Sequence, residues 1–150
     1  MRPSERFRRQ HQELLELALE IEAALAEPDF PRKAREVRRM MARLKGKLTV
    51  HSSMENEALY PRLLEHPDPT TRALSKDLFD ELGGIYDTFA AHHTKWTSVE
   101  DIEAEPAAYA RHTREMFEKL KLRMERENRE LYPLADREGS DPVPPSRTPS

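Results

Sequence analysis

Four stretches of this chain carry apolar residues at alternating spacings of three and four, and prolines stand at the breaks between them. That period keeps one face of an α-helix apolar over many turns and fits no strand, whose period is two. The first stretch runs from about Ser4 to Glu27 and stops at Pro28, with Phe7, His11, Leu14, Ala18, Ile21 and Leu25 on one face. Ser4 is the expected N-cap. The second begins near Pro31, a residue suited to a first helical turn, and continues to about Glu65. Its stripe is Val37, Met41, Leu44, Leu48, His51, Glu55 and Leu59. Pro61 has no N–H to give and should kink or strain the helix there. After the break HPDPTT, where Asp68 or Thr70 can cap, the third runs from about Thr71 to Ile102 through Leu78, Leu82, Ile85, Phe89, His92, Trp96 and Val99. Gly83-Gly84 sits inside it at some cost in propensity. The fourth spans about Pro106 to Glu138, with Tyr109, Met116, Leu120, Arg123, Glu127 and Leu131 on its face.

Long amphipathic helices joined by short links pack side by side in alternating directions. The expected fold is therefore all-α, an antiparallel up-down four-helix bundle over residues 1–138. The remainder, 139–150, is rich in Pro and Ser and should be disordered. Cysteine is absent, which removes disulfides, thiolate catalysis and Cys-held zinc or iron–sulfur sites. Any metal must be held by His, Asp, Glu or Tyr. No signal-like or membrane-length apolar run is present, so a soluble cytoplasmic protein is expected.

One phrase is written twice. HSSMENEALYP, from His51 to Pro61, and RMERENRELYP, from Arg123 to Pro133, share E-N-x-x-L-Y-P. Both lie near the ends of helices two and four, which run the same way in such a bundle. The polar residues that interrupt the apolar stripes are His11, His51, Glu55, His92 or His93, Arg123 and Glu127. His51 and Glu55 are four apart, one turn along the same face. Buried carboxylates without a partner are strongly disfavoured, so Glu55 and Glu127 require a metal or another cation.

These residues resemble the hemerythrin-like family of four-helix bundles with a non-haem di-iron centre. The resemblance extends over about Phe7 to Leu134. His11 comes from FRRQHQELLELA, His51 and Glu55 from HSSMENEALYP, His92 or His93 from FAAHHTKW, and Glu127 from RMERENRELYP. It implies iron, one or two ions per chain, with another divalent metal as the alternative. It also implies O2, nitric oxide or peroxide as small partners, and a sensing, metal-binding or stress-response role. Arg123 stands where that family has its fourth-helix histidine. A guanidinium offers only donors and cannot bind a metal. The expectation is a mononuclear or asymmetric site of His11, His51, Glu55 and Glu127, with Arg123 in place of the second cation. Two alternatives stay open: Arg123 turned outward with His93 as replacement ligand, or a metal-free bundle held by an Arg123–Glu55/Glu127 ion pair.

The competing class is a protein- or nucleic-acid-interaction module. Pro31 to Lys47 carries eight basic residues and one acid. Arg32, Arg35, Arg39 and Arg43 fall opposite the apolar stripe and read better as a solvated face. The aromatic interleaving of a single-strand binder is absent, so nucleic acid is not the expected partner. No nucleophile–base pair or phosphate-binding glycine loop is visible, and no enzyme class is expected.

Overall fold

The computed structural model describes residues 2–140. Helix α1 spans Glu5–Leu25, and a single 3-10 turn, Phe30–Lys33, leads into α2, Ala34–Met54. A π-helical turn over Glu55–Leu59 joins α2 to the short α3, Tyr60–Leu64. Next come α4, Pro69–Leu82, α5, Ile85–Lys95, and α6, Val99–Ala104. Helix α7, Pro106–Arg126, passes through a second π-helical turn, Glu127–Leu131, into α8, Tyr132–Ser140. Among the described residues no helix is long and apolar enough to cross a membrane. Of the expected disordered segment 139–150, residues 139 and 140 close α8; the rest lies outside the described residues.

Side-chain pairs give the helix directions. Lys121 reaches Glu22, while Ser4 meets Asp136, so α1 runs against α7 and α8. Lys47 pairs with Glu13 and Met54 with Gln10, so α1 also runs against α2. Arg126 pairs with Glu81 and Thr113 with His92, so α7 runs against α4 and α5. The result is an antiparallel four-helix bundle in which α2 and α7 run parallel. Both copies of the repeated phrase lie on this pair.

Three local expectations are corrected. The third helix is not continuous from Thr71 to Ile102. It breaks at Gly83-Gly84, where a Cβ on Gly83 would lie 3.0 Å from the Phe79 carbonyl oxygen. It breaks again after Trp96, and Ile102 belongs to α6, capped by Ser98 accepting from the Asp101 N–H at 3.1 Å. Ser4 stands at the N-terminus of α1 but makes no capping bond. Its N–H and Oγ instead donate to the two Asp136 carboxylate oxygens at 3.0 and 2.8 Å, tying the ends of the chain's outer helices. Asp68, as expected, caps α4 by accepting from the N–H groups of Thr70 and Thr71.

Helical structure continues through Pro61 and Pro133, and the distortion expected at Pro61 takes the form of a π-helical turn. A proline ring clashes with the carbonyl one turn back. The π-helical turns widen the backbone at that point: Tyr60 N–H bonds to Glu55 O and Tyr132 N–H to Glu127 O, each five residues back. Each copy of E-N-x-x-L-Y-P is thus one wide turn closed by a proline.

The core is in two parts. One apolar cluster runs from Leu14, Leu44 and Phe117 to Trp96 and Ile102. The other gathers Phe7, Leu59, Leu63, Leu78 and Leu131. Fully burying one such side chain contributes about 1.5–3 kcal/mol. Between the clusters, along α1, α2 and α7, lies a buried polar layer. Removing the tie across the chain ends tests how the layer's flank is held. Asp136→Ala leaves the buried Ser4 N–H without an acceptor and its hydroxyl with only the Arg8 Nε–H donated to it, and the expected loss is about 1–3 kcal/mol. It is read as a lower urea midpoint at unchanged m-value; an unchanged midpoint would refute the assignment.

Candidate metal centre

Each side chain of the polar layer is placed by a turn already described. His11 sits on α1 between Phe7 and Leu14, so the stripe that buries those residues buries it too. His51 and Glu55 occupy the last turn of α2 and the start of the first π-turn; Arg123 and Glu127 hold the same places on α7 and the second π-turn. Glu55 and Glu127 have no exposed surface, and His11, His51 and Arg123 are nearly as enclosed.

The histidines face inward through one nitrogen each. His11 Nδ1 lies 2.9 Å from Asn128 Oδ1, and His51 Nδ1 lies 2.6 Å from Gln10 Oε1. An amide oxygen only accepts, so Nδ1 carries the hydrogen in both rings and Nε2 is the atom turned to the cluster. The two Nε2 atoms are 3.0 Å apart. His11 Nε2 is 3.1 Å from Glu127 Oε1, and His51 Nε2 is 3.2 Å from Glu55 Oε2. The four ligand atoms of His11, His51, Glu55 and Glu127 all fall within 4.8 Å of one another.

Arg123 turns inward and closes the other side. Its Nε lies 3.3 Å from Glu127 Oε2 and its Nη2 3.5 Å from Glu55 Oε1. Each carboxylate therefore presents one oxygen to the histidine pair and the other to the guanidinium. Two tyrosines complete the layer, and they cross. Tyr132, in the second phrase, donates to Glu55 Oε2 of the first at 2.5 Å; Tyr60, in the first, donates to Glu127 Oε2 of the second at 3.3 Å. The Tyr132 hydroxyl is also 3.0 Å from His11 Nε2.

Electrostatics follow from this enclosure. Burial pushes the Glu55 carboxyl up. The His51 imidazole when it carries a second proton, the Tyr132 hydroxyl and the Arg123 charge outweigh it, and without a metal the group ends below the usual carboxylate range. Burial, with the Glu127 and Glu55 charges, pushes the Tyr60 phenol far up; burial with Glu55 and Glu127 does the same at Tyr132, so both stay neutral donors. Burial works against the Arg123 charge, but Glu127 and Glu55 more than offset it and raise its pKa. Two carboxylates against one guanidinium leave a negative charge uncompensated in a sealed layer, a costly arrangement without a further cation.

The donor set fits a metal ion on its chemistry. Two imidazole nitrogens and carboxylate oxygens suit Fe(II), Mn(II) or Zn(II). The Nδ1 hydrogens held by amide oxygens are the outer support that metal-binding histidines ordinarily have. Two ring nitrogens 3.0 Å apart, each also within 3.2 Å of a carboxylate oxygen, call for a positive centre beside them.

His92 and His93 are not brought to this layer. His92 Nε2 bonds to Thr113 Oγ1 at 2.8 Å, and His93 is exposed. Thr113 is ten residues before Arg123 on α7, about 15 Å along the helix. The register that pairs His92 with Thr113 pairs Arg126 with Glu81, so the third helix passes the layer near Gly83-Gly84, between the buried Leu78 and Ile85. Arg123 turned outward with His93 in its place is not the observed arrangement. His66 and His112 also lie outside the cluster: His66 Nδ1 accepts from the Asp68 N–H, and His112 packs on Trp96. The tyrosines, Gln10 and Asn128 escaped the sequence reading. The tyrosines had a signal, since both copies of the phrase keep them.

The family described as the hemerythrin HHE cation-binding domain matches residues 2–135. Searches of curated proteins and of solved structures returned no significant match.

The displaced His92 has a pH signature. Burial, then the charges of His112 and His93, lower its pKa from 6.5 to about 4. Between those values the unfolded chain binds a proton that the folded chain refuses, so stability rises with pH across the window and is flat in this respect above it. Urea midpoints measured between pH 5 and 7 should climb in the wild type and climb less in His92→Gln. Equal slopes would contradict the placement.

Proposed function

This chain belongs to the hemerythrin HHE cation-binding family, and on that premise we propose that its buried layer binds one divalent metal ion, non-haem iron in the first instance. The ligands are His11, His51, Glu55 and Glu127. Arg123 takes the place of a second ion. The observation that carries the reading is the division of each carboxylate: one oxygen faces the histidine pair and the other faces Arg123. The guanidinium thus occupies the side where a bridging carboxylate would otherwise meet a second metal, and its charge-assisted contacts stabilise both Glu residues there.

The chain's own residues do the following. Gln10 and Asn128 fix the imidazole orientations, Tyr60 and Tyr132 fix the carboxylates, and the two apolar clusters keep bulk water out. A bound transition metal would supply Lewis-acid and one-electron chemistry. Sensing of O2, nitric oxide, peroxide or iron itself belongs to the same proposal. A cavity of about 290 Å³ beside His11, Asn128 and Met124 supports access for a molecule of that size.

The metal-free ion-pair reading has one observation in its favour, the contact of Arg123 with both carboxylates. Elemental analysis after anaerobic loading with Fe(II) decides between them. The wild type is expected to hold about one equivalent per chain and His51→Ala none, at unchanged helical circular dichroism. Arg123→His alone should stay near one, because the third helix brings no histidine to the layer. No bound metal in the wild type would favour the ion-pair bundle, and two equivalents would overturn the single-ion site.

A further inference from the structure

A second concave site lies away from the polar layer and shares no residue with it. It is a cavity of about 420 Å³ between α2 and α5, with Tyr109 of α7 in its floor. That volume falls within the range of small-molecule sites, about 300–1,000 Å³. The floor is aromatic. Trp96 and Tyr109 meet edge to face at 5.3 Å, His92 lies against Tyr109 at 5.3 Å, and Phe89 lines the same space. Only a small part of each ring is open to the cavity, 3% of Phe89, 4% of Trp96 and 1% of Tyr109, so a flat apolar body meets the floor through limited aromatic contact.

The rim is basic. Arg38 and Lys45 project from α2, two helical turns apart on one face, and His93 stands across from them on α5. No acidic residue lines the cavity, and neither Arg38 nor Lys45 has a carboxylate partner among the described residues. Both are half-buried, unlike the exposed Arg35, Arg39 and Arg43 of the same basic segment. Arg38 and Tyr109 line the same cavity; burial raises the Tyr109 phenol to about 12, with a Thr113 hydrogen bond and the Arg38 charge pulling the other way. The Trp96 ring lines the cavity, while its indole N–H is enclosed and makes no hydrogen bond. Uncompensated cations above an aromatic floor select one kind of occupant.

We propose that this cavity binds a small organic anion with a planar aromatic body, its acidic group held by Arg38 and Lys45 and its rings against Trp96, Phe89 and Tyr109. The site is independent of the metal reading, because none of its residues touches the His/Glu cluster.

Trp96 is the chain's sole tryptophan, so its emission reports directly on occupancy. The probe is 1-anilinonaphthalene-8-sulfonate, compared with the uncharged N-phenyl-1-naphthylamine, on the full chain with and without Fe(II). The expected result is saturable one-to-one binding of the sulfonate with energy transfer from Trp96, the same with and without Fe(II). The neutral analogue should bind roughly tenfold more weakly, and Arg38→Glu with Lys45→Glu should weaken the sulfonate by a similar factor. If charge reversal lowers the helical signal, Arg38→Gln with Lys45→Gln carries the same comparison. Absence of transfer from Trp96, equal affinity for the neutral analogue, or binding unaffected by the charge variants would each overturn the proposal.

Discussion

Two carboxylates with no exposed surface, Glu55 and Glu127, sit at the centre of this bundle, and the layer around them is arranged to meet their charge. A buried carboxylate is tolerated only when paired and hydrogen-bonded. Arg123 spans the pair from one side, the Nε2 atoms of His11 and His51 face it from the other, and two phenols donate into it. The apolar core divides into two clusters because this layer runs between them. The helix packing and the site are therefore one problem: four helices must bring these groups into register, or the core carries unpaired charge.

The repeated phrase is how the chain does this twice. Its glutamate opens a π-helical turn, its proline closes it, and the tyrosine before the proline reaches across the bundle to the other copy's glutamate. The wide turn gives the proline ring room where a tight helical turn would clash. Because α2 and α7 run parallel, the crossing is reciprocal. The copies differ in their first letter, and that letter sets the chemistry of each side. His51 sets an imidazole Nε2 beside Glu55 Oε2; Arg123 sets a fixed positive charge beside Glu127 Oε2 instead.

Helix class, bundle direction and the inward positions of His11, His51, Glu55, Arg123 and Glu127 were legible, because a period near 3.6 marks the buried face without knowledge of partners. Position along the bundle was less legible. His92 lies on the correct stripe but at the wrong height, since stripe membership says which face is buried and not which neighbour it meets. The short link between α5 and α7 held the missing information: antiparallel register there puts Gly83-Gly84, not His92, beside the layer. The two breaks in the third helix share that origin, because local glycine cost was outweighed by the apolar pattern on either side. Tyr60 and Tyr132 lie beside the stripes rather than on them, and only the crossed geometry shows their hydroxyls to be part of the polar layer. Basic residues of α2 divide in the same way: Arg35, Arg39 and Arg43 face solvent, whereas Arg38 and Lys45 turn towards an aromatic hollow that no periodicity announces.

The central claim is that one ion and one guanidinium share the two carboxylates. Anomalous scattering at the iron edge, from crystals of protein loaded anaerobically with Fe(II), tests it most directly. The account predicts a single peak among His11, His51, Glu55 and Glu127, with Arg123 still on the far side of the carboxylates. Two peaks with Arg123 displaced, or a peak outside these four residues, would contradict it.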